Sequence, residues 1–374
     1  MSLPQRPHRP DDGAFIVGTG RCGSTLLTQM LRRHPEQLSV SELFAFISDL
    51  GNQIPRCFPP EAIDGDAFWA IVAGVHPRQN LLLRHGLRMP EVLYDFERGR
   101  FEASAGVPAL ALTTLPHLEA DPFGSAHAGD VDGRLDELEA VVRGWGRAPA
   151  ADHYRALLGW LTRRYGRRAW VERSGGTLRI VHRLIEQFPH ARFVHIVRDG
   201  RNTALSMSRH IGFRMALIAF QLVEFLGVDP FDDPDRSEVD DLPDDLAALL
   251  PEHFDAEAFW AYSLPPALCG HYWSGEIIRG LEALDALERD RVLTLSYERL
   301  LNQPREQLRI LDAFLSGPEA AEQPASRAWI EGCLGLIGAG RSAWSELPER
   351  ERRELEAACA PGFEALAARG LRAV

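Results

Sequence analysis

Phe15-Ile-Val-Gly-Thr-Gly-Arg-Cys-Gly-Ser-Thr-Leu-Leu27 is an apolar run that breaks into closely spaced glycines and opens directly into a helical pattern. The spacing predicts a strand, a phosphate-cradling loop and the first turn of a helix. Gly18, Gly20 and Gly23 let the backbone approach a ligand closely. Ser24 and Thr25 are expected to bond the free amides of the first helical turn, which themselves attract anions.

Three phosphate-binding patterns compete for these residues. From Gly18 the spacing is that of a Walker A loop, but Ser24 stands where nucleotide hydrolases carry lysine, and the chain has no lysine at all: its 41 Lys and Arg residues are all arginine. An ordinary ATPase, GTPase or P-loop kinase is therefore disfavoured. A Cys-x5-Arg phosphatase loop fails because Thr28 lies six positions after Cys22. Gly18-x-Gly20-x-x-Gly23 does satisfy the dinucleotide fingerprint, with Glu42 near the distance of an acid that binds a ribose diol. An NAD(P)- or FAD-dependent oxidoreductase therefore stays open as an alternative, although Arg21 is a bulky cation between the glycines and reads as a group aimed at an anion.

A second stretch favours a different phosphate ligand. Ala191-Arg-Phe-Val-His-Ile-Val-Arg198 reads as a buried strand, Asp199-Gly200 as a turn, and Asn202 to Met207 as the first turns of a helix. Arg198 and Ser206 would then converge on a second phosphate, in the crevice where open α/β sheets bind ligands.

With both stretches in view, the sequence resembles the PAPS-dependent sulfotransferases, in the form of their bacterial and tyrosylprotein-type members; PAPS is 3'-phosphoadenosine 5'-phosphosulfate. The 5'-phosphosulfate loop matches Gly18 to Leu27, and the 3'-phosphate motif, an Arg followed eight residues later by Ser, matches Arg198 and Ser206. Trp170-Val-Glu-Arg-Ser174 looks like the strand that carries a basic residue, Arg173, towards the reacting sulfate. Val292 to Leu300 looks like the segment whose tyrosine, here Tyr297, approaches adenine. The resemblance implies that Gly20, Arg21, Cys22, Gly23, Ser24, Thr25, Leu26, Arg198, Ser206 and Tyr297 bind PAPS and its product 3',5'-ADP. It also points to Arg341, in the loose counterpart Gly338 to Trp344 of the family's basic-glycine loop, as a 3'-phosphate contact. The chain departs from the cytosolic branch in having Arg21 for the loop lysine and Leu26 for a tryptophan, so adenine stacking must come from elsewhere.

Chemistry centres on Glu42. Thr25 to Arg33 reads as a helix ending before His34-Pro35, and Leu38 to Val40 as a short strand, which brings Glu42 out at the same sheet edge as the cradle. In tyrosylprotein-type relatives a glutamate at this spacing is the base. By that resemblance Glu42 accepts the proton of an acceptor hydroxyl, in preference to an amine, as its oxygen attacks sulfur in line. Arg21, Arg173, Ser24, Thr25 and the loop amides would stabilise the developing charge, with no metal expected. Burial is expected to raise the pKa of Glu42, with Arg21 and Arg173 opposing.

The same residues also have structural readings: a helix serine, a surface arginine, an acid paired with a base, a packed aromatic at Tyr297. A non-catalytic nucleotide-binding protein is the third alternative, separated from the first only by turnover. His182, His195 and His271 lack partners at recognisable spacing and are read as structural.

The predicted fold is α/β: three layers with a central parallel sheet, helices on both faces and helical insertions. One domain over residues 1–374 is expected, with acceptor-binding and lid insertions at about 43–165 and 208–288. Phe68, Trp69, Trp260, Tyr262 and Trp273 fall in those intervals as candidates to line an acceptor pocket, although aromatics at such positions are more often core. The acceptor stays open among small molecules, lipids, carbohydrates and peptide hydroxyls, as does the oligomeric state. A net charge of −12 argues against a general nucleic-acid binder. With no long apolar span, no secretory pattern and five scattered cysteines, the expectation is a cytoplasmic protein with reduced thiols.

Overall fold

Five segments pair as parallel strands: β1 (Ala14–Val17), β2 (Gln37–Ser41), β3 (Ala169–Arg173), β4 (Arg192–Val197) and β5 (Val292–Ser296), in the spatial order β2-β3-β1-β4-β5. The structure is a computed structural model describing residues 13–45, 56–122, 129–231, 242–338 and 343–371.

Because side chains alternate across a sheet, each strand feeds two cores. Ala14, Ile16, Val171, Val194, Ile196 and Leu295 face one layer, where they meet Leu27, Met30 and Leu31 of α1 (Ser24–Arg32) and helices of the C-terminal third. Phe15, Val17, Trp170, Phe193 and Val197 face the other. That second layer holds α2 (Ala150–Arg164), α3 (Val181–Gln187), α4 (Gly200–Ser208), α5 (Ile211–Leu226), α6 (Pro266–Asp285) and, after two helices of the first layer, the late helix Glu349–Ala367. The first-layer pair is α7 (Pro304–Ser316) and α8 (Pro324–Cys333), and their buried Leu308, Leu311, Leu315, Trp329 and Ile330 close the other core. Burying each such side chain contributes roughly 1.5–3 kcal/mol. The three-layer α/β arrangement is thus as expected.

The intervals expected to be insertions contribute to the same packing. Phe68, Leu82, Leu112, Leu138 and Tyr154 from the first, and Ile218, Phe259 and Trp273 from the second, belong to one buried cluster with Phe15 and Trp170. Phe68, Trp69 and Trp273 are therefore core residues, the commoner role for aromatics so placed, and not pocket lining. Their apolar area closes the fold.

Strand order positions the ligand crevice. From β1 the chain passes through α1 on one face to β2 and β3, whereas β4, on the other side of β1, continues into α4 on the opposite face. The loops after β1 and β4 therefore diverge, opening a crevice at their carboxyl ends. In the dinucleotide arrangement the second strand adjoins the first; here β3 lies between β1 and β2, so Glu42 emerges one strand away from the glycine loop.

Local signals explain the boundaries. Asp199 caps α4 by accepting from the Asn202 amide at 3.0 Å, so the helix starts at Gly200, where a turn was expected. Tyr297 opens a short helix, Tyr297–Asn302, directly after β5, because the Ser296 side chain accepts from the Arg299 amide. His195 lies buried in β4, and burial holds its pKa down at about 4. Most of the acidic stretch from Asp232 lies outside the described residues; Asp244 and Asp245 open a short helix. The five cysteines are buried and unbridged. No helix among the described residues is long and apolar enough to cross a membrane.

Candidate active site

The loop after β1 is held in a conformation that only glycine adopts freely at two of its positions. Gly20 has φ 80° and Gly23 φ 93°, and an added Cβ would lie 2.3 Å from the Phe213 ring in the first case and 2.1 Å from the Tyr297 ring in the second. Gly23 is the N-cap of α1 and no side chain caps that end. Ser24 and Thr25 therefore do not bond the first-turn amides as expected; they lie inside the turn, Ser24 buried and Thr25 exposed. An uncapped helix start of this kind presents N–H groups and a positive dipole end to an anion. Cys22 points its thiol into the core, where burial raises its pKa, so its offer to a ligand is its backbone. Leu26 is half-buried against the same core.

Arg21 has φ 53° and Glu42 φ 60°; among the described residues these are the only non-glycine positions with positive φ. Such strain costs about 1–3 kcal/mol per residue and gathers at functional sites. Arg21 Nε donates to Ser206 Oγ at 3.2 Å, and Arg198 Nη1 donates to the Arg21 carbonyl at 3.0 Å. Arg198 also stacks its guanidinium over the Tyr297 ring, 4.9 Å from the centroid. Sequence reasoning had separated these residues into two phosphate sites. Here they touch.

Around them runs a cleft with about 930 Å³ of open space, lined by Arg21, Arg88, Arg198, Arg209, Asn202, Ser206 and Trp260. Four arginines on one cleft focus a positive potential on any anion entering it. Arg341 lies outside the described residues. Ala343 reaches the cleft, its amide donating to Asn202 Oδ1 at 3.1 Å.

Glu42 and Arg173 form a buried ion pair beside this cleft. The loop after β3 supplies the other carboxylate contact, with the Gly175 amide donating to Glu42 Oε2 at 3.0 Å, and the Glu42 amide donates to the Arg173 carbonyl at 2.9 Å. Arg173 is itself fixed by α1, its Nε donating to Thr28 Oγ1 at 2.9 Å and its Nη2 to Thr25 Oγ1 at 3.5 Å. Burial raises the pKa of Glu42, and Arg173 opposes that rise; the nearby Glu91 adds to it. The carboxyl thus sits in the competing environment that tunes acids and bases.

Two residues of the site carry no motif in the sequence. His210 caps α5 by accepting the Phe213 amide at Nδ1, which leaves Nε2–H to donate to Glu91 Oε1 at 3.2 Å. Glu91 Oε1 also lies 3.8 Å from Arg21 Nη1. Burial pushes the Glu91 pKa up, but His210 and Arg21 outweigh it and hold the carboxyl below its usual range. The only sequence signals for this pair were Pro90 before Glu91 and the helix start after His210.

A second cleft opens on the far side of Glu42. It has about 1020 Å³ of open space, part of it open to solvent, and is lined by Glu42, Glu91 and His210 together with Met89, Met207, Phe213, Phe220 and Tyr272. Trp260 lines the arginine cleft instead, and Tyr262 lines neither, its hydroxyl donating to Gln221 Oε1 at 2.8 Å. Among the described residues no group of three or more His, Cys, Asp or Glu is placed to hold a metal ion.

No protein-family model and no curated protein matches this sequence. Among solved structures, the sulfotransferase domain of the olefin synthase of Synechococcus PCC 7002 is 16% identical over 99% of both chains, with a TM-score of 0.43. Sulfotransferase STF9 of Mycobacterium avium is 13% identical over 98% of this chain and 78% of its own, with a TM-score of 0.45. A sulfotransferase of Alicyclobacillus acidocaldarius is 17% identical over 96% and 94%, with a TM-score of 0.39. Likeness at this level carries no argument about activity, which rests on the site itself.

Proposed function

We propose that this chain transfers the sulfuryl group of PAPS to an acceptor hydroxyl. The observation that carries the reading is the convergence of Arg21, Arg198 and Ser206 in a four-arginine cleft with the strained, buried Glu42–Arg173 pair one step away. A ligand with phosphate at both ends of a nucleoside suits that cleft: the α1 start and the Gly20–Thr25 backbone would hold the 5' end, and Arg198 with Ser206 the 3'-phosphate. The dinucleotide alternative loses its acid, because Glu42 is paired with Arg173 and separated from β1 by a strand.

PAPS supplies the sulfuryl group when bound. Glu42, ionised, accepts the proton of the acceptor O–H while that oxygen forms a bond to sulfur and the sulfur–oxygen bond to the 5'-phosphate breaks, releasing 3',5'-ADP. Arg173 holds Glu42 at that position and, with Arg21, faces the negative charge that grows on the sulfate and the leaving phosphate. Arg21 is aimed from two sides, by Ser206 and by Glu91.

Glu42→Gln tests the assignment, since it removes the base and keeps the shape. Turnover of PAPS with an acceptor, read as 3',5'-ADP release, is expected to fall about a hundredfold or more, with 3',5'-ADP affinity nearly unchanged. Wild-type turnover in this variant would remove Glu42 from the mechanism.

A further inference from the structure

The walls of the Glu42 cleft divide into a polar end and an apolar body. Glu42, Glu91 and His210 stand together at one end, and Glu91 Oε2 is buried with no hydrogen-bond partner. The body is built by Met89, Met207, Met215, Phe213, Leu217 and Phe220, largely from one face of α5 and the end of α4. Several of the polar side chains elsewhere on the walls are already engaged, Gln79 being a further amide that lines the cleft. Arg78 pairs with Asp229, while Arg179 lies 3.7 Å from Glu276 and stacks on Phe220 at 4.8 Å. The Thr113 hydroxyl donates to the Ala109 carbonyl at 3.1 Å.

We infer that the acceptor is an uncharged apolar alcohol or phenol, whose hydroxyl enters between Glu42 and His210 and whose hydrocarbon body lies against α5. The inference rests on the sulfuryl-transfer reading and adds the substrate class. Three observations select that class. A sugar buried here would leave several hydroxyls without partners, each costing roughly 1–3 kcal/mol, and a peptide would bury backbone amides in the same way. An anionic acceptor would meet two carboxylates at the reacting end. Three thioether side chains make a wall that adapts to hydrocarbon shape and gives little directional recognition. Phe213 links this wall to the nucleotide loop, because its ring occupies the space a side chain at Gly20 would need. The acceptor body and the loop carrying Arg21 thus lean on the same ring.

The probe is 2-naphthol, with 1-octanol as an alkyl counterpart and cellobiose and an acidic tyrosine peptide as polar competitors. Ala216 lines the body from the half-exposed side of α5, so Ala216→Trp fills the cleft and Ala216→Asp charges it. By calorimetry on the full chain, saturable 2-naphthol binding is expected, weakened about tenfold or more in both variants, with 3',5'-ADP affinity kept within about twofold as the control for folding. With PAPS, 2-naphthol or 1-octanol is expected to be sulfated and the polar competitors not. Sulfation of cellobiose or the peptide, with no binding of either apolar probe, would overturn the acceptor class and leave the sulfuryl-transfer reading standing. Absence of 3',5'-ADP binding would overturn that reading instead. Unchanged 2-naphthol affinity in both variants would show that the probe does not occupy this cleft and would overturn the inference.

Discussion

Arg198 is the residue on which nucleotide discrimination turns, and it does two jobs at once. Its Nη1 supports the strained Arg21 carbonyl, and its flat face packs on Tyr297, which in turn fills the space above Gly23. Arg198→Ala is therefore expected to weaken 5'-AMP slightly, through the loop, and 3',5'-ADP by roughly 2 kcal/mol more, through the lost charge-assisted contact with the 3'-phosphate. Titration of both nucleotides into the same variant separates the two effects. Equal losses would show that Arg198 supports the loop without reading that phosphate. At this scale the sequence was informative about residue types, since Arg21, Glu42, Arg173, Arg198 and Ser206 all reach one region. It was silent about Glu91 and His210, which act through contacts between segments far apart in the chain.

Strand β3 shows what an element adds to its residues. Alternation sends Arg173 towards α1 and the site, and turns Glu172 into the opposite core, where it is wholly buried. Ser174 Oγ donates to Glu172 Oε1 at 2.5 Å and accepts from the Phe44 amide at 2.8 Å, tying the turn after β2, which carries Glu42, to the end of β3. Burial raises the pKa of Glu172 to about 8, with the Ser174 hydrogen bond opposing. The unfolded chain loses this proton near the ordinary glutamate value while the folded chain keeps it until about pH 8, so the stability this group contributes falls as pH rises through that interval and levels off above it. Glu172→Gln cannot ionise. Its melting temperature is expected to gain on the parent as pH increases from 5 to 8, with a constant gap beyond; a gap independent of pH would contradict a neutral Glu172. The β3 strand itself was readable from its apolar pattern, but the acid beside the predicted arginine could be read only as a partner for Arg173, which pairs with Glu42 instead, because which face a residue takes depends on the sheet it joins.

For the whole molecule, the strand-loop-helix start and the strand at 191–198 were legible because each is local: a period of two, a glycine break, then a helical period. The order β2-β3-β1-β4-β5 was not, since parallel pairing joins segments roughly a hundred residues or more apart and leaves no local trace. That order distinguishes this crevice from the dinucleotide arrangement that the glycine spacing alone allowed. The aromatics of the long intervals could be read as core or as pocket lining for a related reason. Phe68, Trp69 and Trp273 serve a core shared with the sheet, and the pocket went to methionines and to Phe213 and Phe220 on α5. Apolar side chains carry no mark of which role they take until the helices are packed.

Whether the crevice beside β1 holds a nucleoside with phosphates at both its 3' and 5' positions is tested, before any acceptor is known, by ligand-induced stabilisation. A ligand that binds only the folded state at a hundred times its Kd adds about 2.7 kcal/mol, which in a chain of this size raises the melting temperature by a few degrees. Such a rise is expected with 3',5'-ADP and no added metal, and a clearly smaller one with ATP or NAD(H) at the same concentration; a large NAD(H) shift with none from 3',5'-ADP would contradict that occupancy of the crevice.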